Sequence, residues 1–183
     1  MANQAEDQLP IAELCKLAGI EPVSGDIAPA QVLTRLVKEE RFPEALRFLV
    51  NTLEAGTAVR WAYDCLSNLD RPPAQGARQT ALQAVKSWIA APDETKRRAA
   101  KEASDNAGLE TPEGVLAMAV FFSGGSIAPE TAPEVPAPAR ACHKLSAGAV
   151  LLVVVSDYPE SASQRFQEAI QRGVQLELPS HRR

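Results

Sequence analysis

The chain has 183 residues, 45% of them apolar and 23% charged, with 19 basic against 23 acidic side chains, enough for one domain with a core of its own. A net charge of −4 and a pI near 5.3 argue against a protein built mainly to bind nucleic acid or anionic lipid, because such binding rests on a basic surface. Aromatic residues make up only 5%. The surplus of Ala, Leu, Glu, Gln and Arg favours helix over sheet, since unbranched side chains lose least freedom in a helix.

Helical segments alternate with Pro and Gly along the chain, which predicts an all-α protein. The first helix is expected over Ile11–Ala18, stopped by Gly19, with a loop through Glu21, Pro22, Val23, Ser24, Gly25 and Asp26. Residues 28–39 follow, with Pro29 in the first turn and Val32, Leu33, Leu36 and Val37 on one face. A third helix is expected from Pro43 to near Gly56 and a fourth over 58–69, closed by Arg71-Pro72-Pro73. A fifth covers 74–91, carrying Ala81, Leu82, Val85, Trp88 and Ile89 at helical spacing.

Asp93 is a cap for a sixth helix ending at Ala107, which has an alanine stripe of Ala99, Ala100, Ala103 and Ala107 in place of large apolar side chains. Its Lys96, Arg97, Arg98 and Lys101 share the helix with Asp93, Glu94, Glu102 and Asp105 and are read as a solvated, ion-paired face. Thr111-Pro112-Glu113 opens a seventh helix to Ser123 that is apolar almost all round and therefore central. Residues 126–140 form a Pro-rich linker along the surface. The apolar stretch 141–156 is expected as a helix, because a lone strand at 151–155 has no evident partner for its backbone. A last helix runs from Pro159 to about Arg172, and a short flexible tail occupies about 174–183. About nine short helices in one domain, 1–183, imply a compact multi-helix bundle or a short stack of helix pairs.

Export is not expected, since Met1 to Leu9 carries Glu6 and Asp7 and no basic residue. The apolar run 147–155 is far shorter than the roughly 20 residues of a membrane helix. Cys15, Cys65 and Cys142 lie far apart with no Cys-x-x-Cys pair, and read as reduced thiols of a cytoplasmic protein.

Little in the sequence points to catalysis. No phosphate-binding glycine string is present, and with only two histidines, His143 and His181, no metal site is expected. No cofactor is expected either. Cys142-His143 invites a thiolate reading, but neighbours on a helix point about 100° apart and a working pair comes from separate elements. Phe121-Phe122-Ser123-Gly124-Gly125-Ser126 is the most distinctive local string: a glycine-capped helix end, or small residues that let a partner's backbone approach. Arg60, Trp61 and Trp88 are residue types enriched among interface hot spots, although large rings at helical spacing usually pack inward. The partner-binding candidates are therefore Arg60, Trp61, Phe122, Ser123, Gly124, Gly125 and Ser126, and no catalytic residue is assigned.

Three strings, residues 41–49 (RFPEALRFL), 58–62 (AVRWA) and 121–129 (FFSGGSIAP), together resemble an uncharacterised bacterial family of small helical proteins associated with type VI secretion gene clusters. Similar proteins often carry two aromatics where Arg60 and Trp61 stand, and an aromatic pair including Trp where Phe121 and Phe122 stand. The resemblance implies a secretion-associated protein that acts by binding, and transfers no catalytic residue. The expectation is a non-catalytic adaptor or chaperone with a protein partner, a secretion component or effector. The alternatives are an immunity protein that covers a toxin's active site, or an enzyme built from dispersed carboxylates such as Glu40, Glu44, Asp64 and Asp70.

Overall fold

Several helix boundaries in this chain are set by proline at the start and by glycine, or an arginine from elsewhere, at the end. The computed structural model describes residues 9–23, 27–129, 131–156 and 159–177. Among these lie nine α-helices: α1 (Ile11–Ala18), α2 (Pro29–Lys38), α3 (Phe42–Thr52), α4 (Ala55–Asn68), α5 (Ala77–Ala90), α6 (Glu94–Ala107), α7 (Pro112–Phe121), α8 (Ala141–Val155) and α9 (Ala162–Glu177). Pro29, Pro43 and Pro112 all sit in first turns, where the missing N–H costs nothing. Asp93 and Thr111 cap α6 and α7 by accepting from Lys96 N and Gly114 N. The N-terminal residues 1–8, Ser24 to Asp26 of the first loop, and residues 178–183 with His181 lie outside the described residues.

Two groups of helices share a common centre. Helices α5, α6 and α7 pack on one another, α1, α2 and α9 pack on α3, and α4 and α8 join the groups. Helix α7 is buried on all sides, through Val115, Leu116, Ala117, Ala119, Val120 and Phe121. Helix α8 lies between α3, α4 and α7, and its 151–155 run is helical, with Val153 and Val154 buried and Val155 exposed, as its lack of a strand partner requires. Phe42 of α3 stacks on Phe166 of α9 with ring centroids 5.4 Å apart.

Several boundaries differ from the sequence expectation. Helix α3 stops at Thr52 because Leu53 turns extended and buries its side chain, so Gly56 belongs to the first turn of α4. Helix α5 begins at Ala77, after an extended segment that ends at Gly76 with φ of 57°. Gly173 does not end α9: the helix continues to Glu177 and Gly173 lies inside it, so the first residues of the expected tail are helical.

The reading of the α6 cations as a solvated face fails for Arg97. Its side chain is buried, as are Ala100, Ala103, Ser104 and Ala107 on the same stripe, while Ala99 is exposed. Arg97 is one of a set of cationic groups that serve the carbonyls at helix ends, where no intrahelical donor remains. Arg47 Nε donates to Ala18 O at the end of α1 at 3.0 Å. Arg165, also buried, donates to Val154 O and Ser156 O at the end of α8 at 3.1 and 2.7 Å. Arg97 Nη1 donates to Phe121 O at the end of α7.

Candidate functional site

Helix α7 ends at Phe121, and the five residues after it form a turn held almost entirely by polar groups. Ser123 Oγ donates to Val120 O at 2.7 Å, and Gly125 adopts the left-handed region with φ of 65°. A β-carbon at Gly125 would also lie 3.2 Å from Arg97 Nε, so both the backbone and the neighbour ask for glycine. Ser126 Oγ accepts from Ala128 N and Val135 N at 3.1 and 3.0 Å, and Ile127 N donates to Val135 O at 2.8 Å. The start of the expected Pro-rich linker is thus joined to Val135 and Pro136 within it, with Ser126 and Pro136 in an antiparallel bridge.

Two arginines of α6 fix this loop from beneath. Arg97 Nη2 donates to Ser126 O at 2.7 Å and Arg98 Nη2 donates to Ala128 O at 3.1 Å. Glu94 receives both guanidiniums, from Arg97 at 2.7 Å and Arg98 at 2.6 Å. Arg97 and then Arg98 hold its carboxyl down at about 2, against an ordinary 4.5.

On the other side of the turn is an open groove of about 330 Å³, lined by residues 122–125, 136–143 and Ala55. Cys142 and His143 form part of its wall, but they work on the corner between α3 and α4. His143 Nε2 lies 3.0 Å from Leu53 O, to which it donates in the Nε2-protonated tautomer, and Cys142 Sγ lies 3.7 Å from Ala55 O. Burial pushes the Cys142 thiol up to about 12, the opposite of what an activated nucleophile needs. Arg140, at the start of α8, has φ of 58° and places Nη1 3.1 Å from His143 Nε2.

The sequence candidates separate into two groups. Phe122, Ser123 and Ser126 are half-buried, Gly124 and Gly125 are exposed, and all five belong to this one turn. Trp61 is not on any surface: it is fully buried and its Nε1 donates to Ala169 O of α9 at 2.8 Å, because a ring at that point of α4 faces the neighbouring helices. Trp88 is buried too. Arg60 is exposed on α4 and lines none of the four grooves described for the protein. Glu40, Glu44, Asp64 and Asp70 line none of them either; Glu44 pairs with Arg41 and Asp64 with Arg172.

Sequence reasoning read Arg97 and Arg98 only as part of a solvated face and did not single out Val135. For Arg97 a signal existed: it sits one step N-terminal to Ala100, in line with the stripe of small residues that packs inward. Val135 stands out only in the structure, where it is 46% exposed beside the turn.

A family model described as a family of unknown function, DUF6931, matches residues 32–177. The chain belongs to the DUF6931 family. The DUF6931 match runs from within α2 to the end of α9, and so contains the turn, its two arginines and the groove. No curated protein and no solved structure matches the chain.

Proposed function

We propose that this protein is a non-catalytic, protein-binding accessory factor, an adaptor or chaperone of a bacterial type VI secretion system, working in the cytoplasm on a secretion component or effector. The observation that carries the binding role is the fixing of an exposed loop by Arg97 and Arg98 of α6. A surface loop held in one conformation by buried groups loses little entropy when a partner docks, which is the usual basis of a prepared binding surface. Gly124 and Gly125 lie open on that loop beside exposed Val135, so a partner's backbone can come close and still find an apolar contact. The secretion context is supported by the resemblance carried by residues 41–49, 58–62 and 121–129.

Affinity purification from the native bacterium, with the tagged protein as bait, tests both parts. A β-carbon at Gly124 meets nothing within 4 Å, so Gly124→Glu combined with Val135→Glu alters the surface and leaves the fold in place. The expected result is a stoichiometric secretion component or effector held by the natural protein and lost from the double variant, with unchanged circular dichroism. A partner held equally by both removes the turn as the binding surface, and a partner from outside the secretion apparatus removes the context. Where the partner is a toxic effector, inhibition of its activity by the bound protein distinguishes an immunity role from an adaptor.

A further inference from the structure

A second groove, of about 400 Å³, lies between the C-terminal half of α4, the extended segment after it, and α5. Glu113, only 1% exposed, reaches it from the first turn of α7. Arg71 Nη2 donates to Glu113 Oε1 at 2.7 Å, and Arg78 donates through Nε and Nη2 to the two carboxylate oxygens at 3.0 and 3.2 Å.

The Arg71 side chain is only 6% exposed, and its Nη1, shut off from water, has no acceptor among the described residues. Glu113 already accepts three N–H bonds from the two guanidiniums and does not serve Arg71 Nη1. Lys86 of α5 lines the same groove and adds a second cation, while Gln79, Gln83 and Tyr63 supply further polar groups along its walls. A buried guanidinium with an N–H that lacks an acceptor, in one groove with an ammonium, suits an acceptor that is planar, charged and two-pronged.

We propose that this groove binds a carboxylate, with Arg71 as the principal donor, reached by a small rotation of its guanidinium, and Lys86 as the second contact. Glu113 then acts as a positioning residue that holds Arg71 in place. The carboxylate comes either from a small dicarboxylic acid or from an acidic peptide segment, and the two sources are separable by experiment. This site is independent of the loop surface proposed above.

The test is the thermal midpoint of the full-length protein with succinate, with an acetylated tetraglutamate peptide, and with inorganic phosphate, each at about 10 mM and matched ionic strength. The expected result is a rise of several degrees with succinate or with the peptide, whichever is the source, and a much smaller one with phosphate. Lys86→Glu, at an exposed position, is expected to abolish the rise while keeping the ligand-free midpoint. Arg71→Lys, which keeps the charge and loses the fork, is expected to reduce the affinity at least about tenfold. No rise with either carboxylate, an equal rise with phosphate, or a rise unaltered in Lys86→Glu overturns the proposal; Lys86→Glu alone decides it if Arg71→Lys fails to fold.

Discussion

Arg97 and Phe121 meet twice. The guanidinium lies 4.8 Å from the centroid of the Phe121 ring, and its Nη1 donates to the carbonyl oxygen of the same residue. One side chain thus covers the last ring of α7, closes the last turn of that helix, and reaches on to Ser126 O in the loop. Replacing Arg97 by Met removes these three contacts and the ion pair with Glu94, and leaves the carbonyls of Phe121 and Ser126 without this donor.

Arg97→Met is expected to lower stability by about 2–4 kcal/mol, the range for losing a buried charged hydrogen-bond donor. Urea unfolding measures this. Limited proteolysis gives a more local readout: cleavage within residues 126–140 should rise well beyond the global loss, because the loop loses its anchor. A variant with normal protease resistance in that loop would show that Arg98 and the bonds within the loop are enough to hold it.

The Glu94 carboxylate gives the α6 cluster a pH dependence. Its folded value of about 2 lies below the ordinary 4.5, so the ion pairs contribute fully above about pH 4.5 and fade as pH falls towards 2. With the Glu94 side chain 50% exposed, screening keeps the contribution below about 1 kcal/mol. The stability difference between the natural protein and Glu94→Gln is expected to be constant at neutral pH and to vanish near pH 2.

Gly173→Ala is expected to destabilise, against the usual direction for glycine within a helix, where Ala gains about 0.5–1 kcal/mol. A β-carbon there would press into Leu49 Cδ2 and lie 2.9 Å from Trp61 Nε1. Overpacking of this kind costs about 1–3 kcal/mol. The same variant should change the Trp emission spectrum, because displacing the indole breaks its bond to Ala169 O. Greater stability in Gly173→Ala would mean that α9 shifts outward at no cost.

The cysteines should be silent in the native protein. Cys15, Cys65 and Cys142 are all buried, and desolvation pushes Cys65 and Cys142 up to about 12. A thiol reagent at pH 8 is expected to label none of them before unfolding, and all of them in urea. Fast labelling of Cys142 alone would reveal an opening of the groove by the 122–125 turn.

Glu113→Gln is expected to cost about 3–5 kcal/mol, since it leaves the buried Arg71 guanidinium facing a neutral amide. A double-mutant cycle with Arg71→Met should recover a large part of that loss.

How far the sequence disclosed this depends on the range of the interaction. Helix starts at Pro29, Pro43 and Pro112 and the caps at Asp93 and Thr111 are local chemistry, and they stand where the residues place them. The helix over Ala141–Val155 followed from an accounting of backbone partners. Arg97 and Glu113 escaped because their partners lie far off in sequence: Phe121 and Ser126 for the first, Arg71 and Arg78 for the second. A charged residue on an inward stripe, or in a helix apolar on every side, already signals a buried pair, but the sequence does not name its other half. The same holds for the turn at 122–126, whose glycine cap was legible and whose anchoring from α6 was not.

The bond from Trp61 to Ala169 spans 108 residues of sequence, and that separation becomes a delay while the protein is being made. At about 5–20 residues per second, the ribosome releases Trp61 on the order of 5–20 s before its acceptor. During that interval α3 and α4 are without the helix that covers them, and Leu49, Phe42 and the indole face solvent. Newly made chains of this protein should therefore be substrates for ribosome-associated chaperones until α9 emerges.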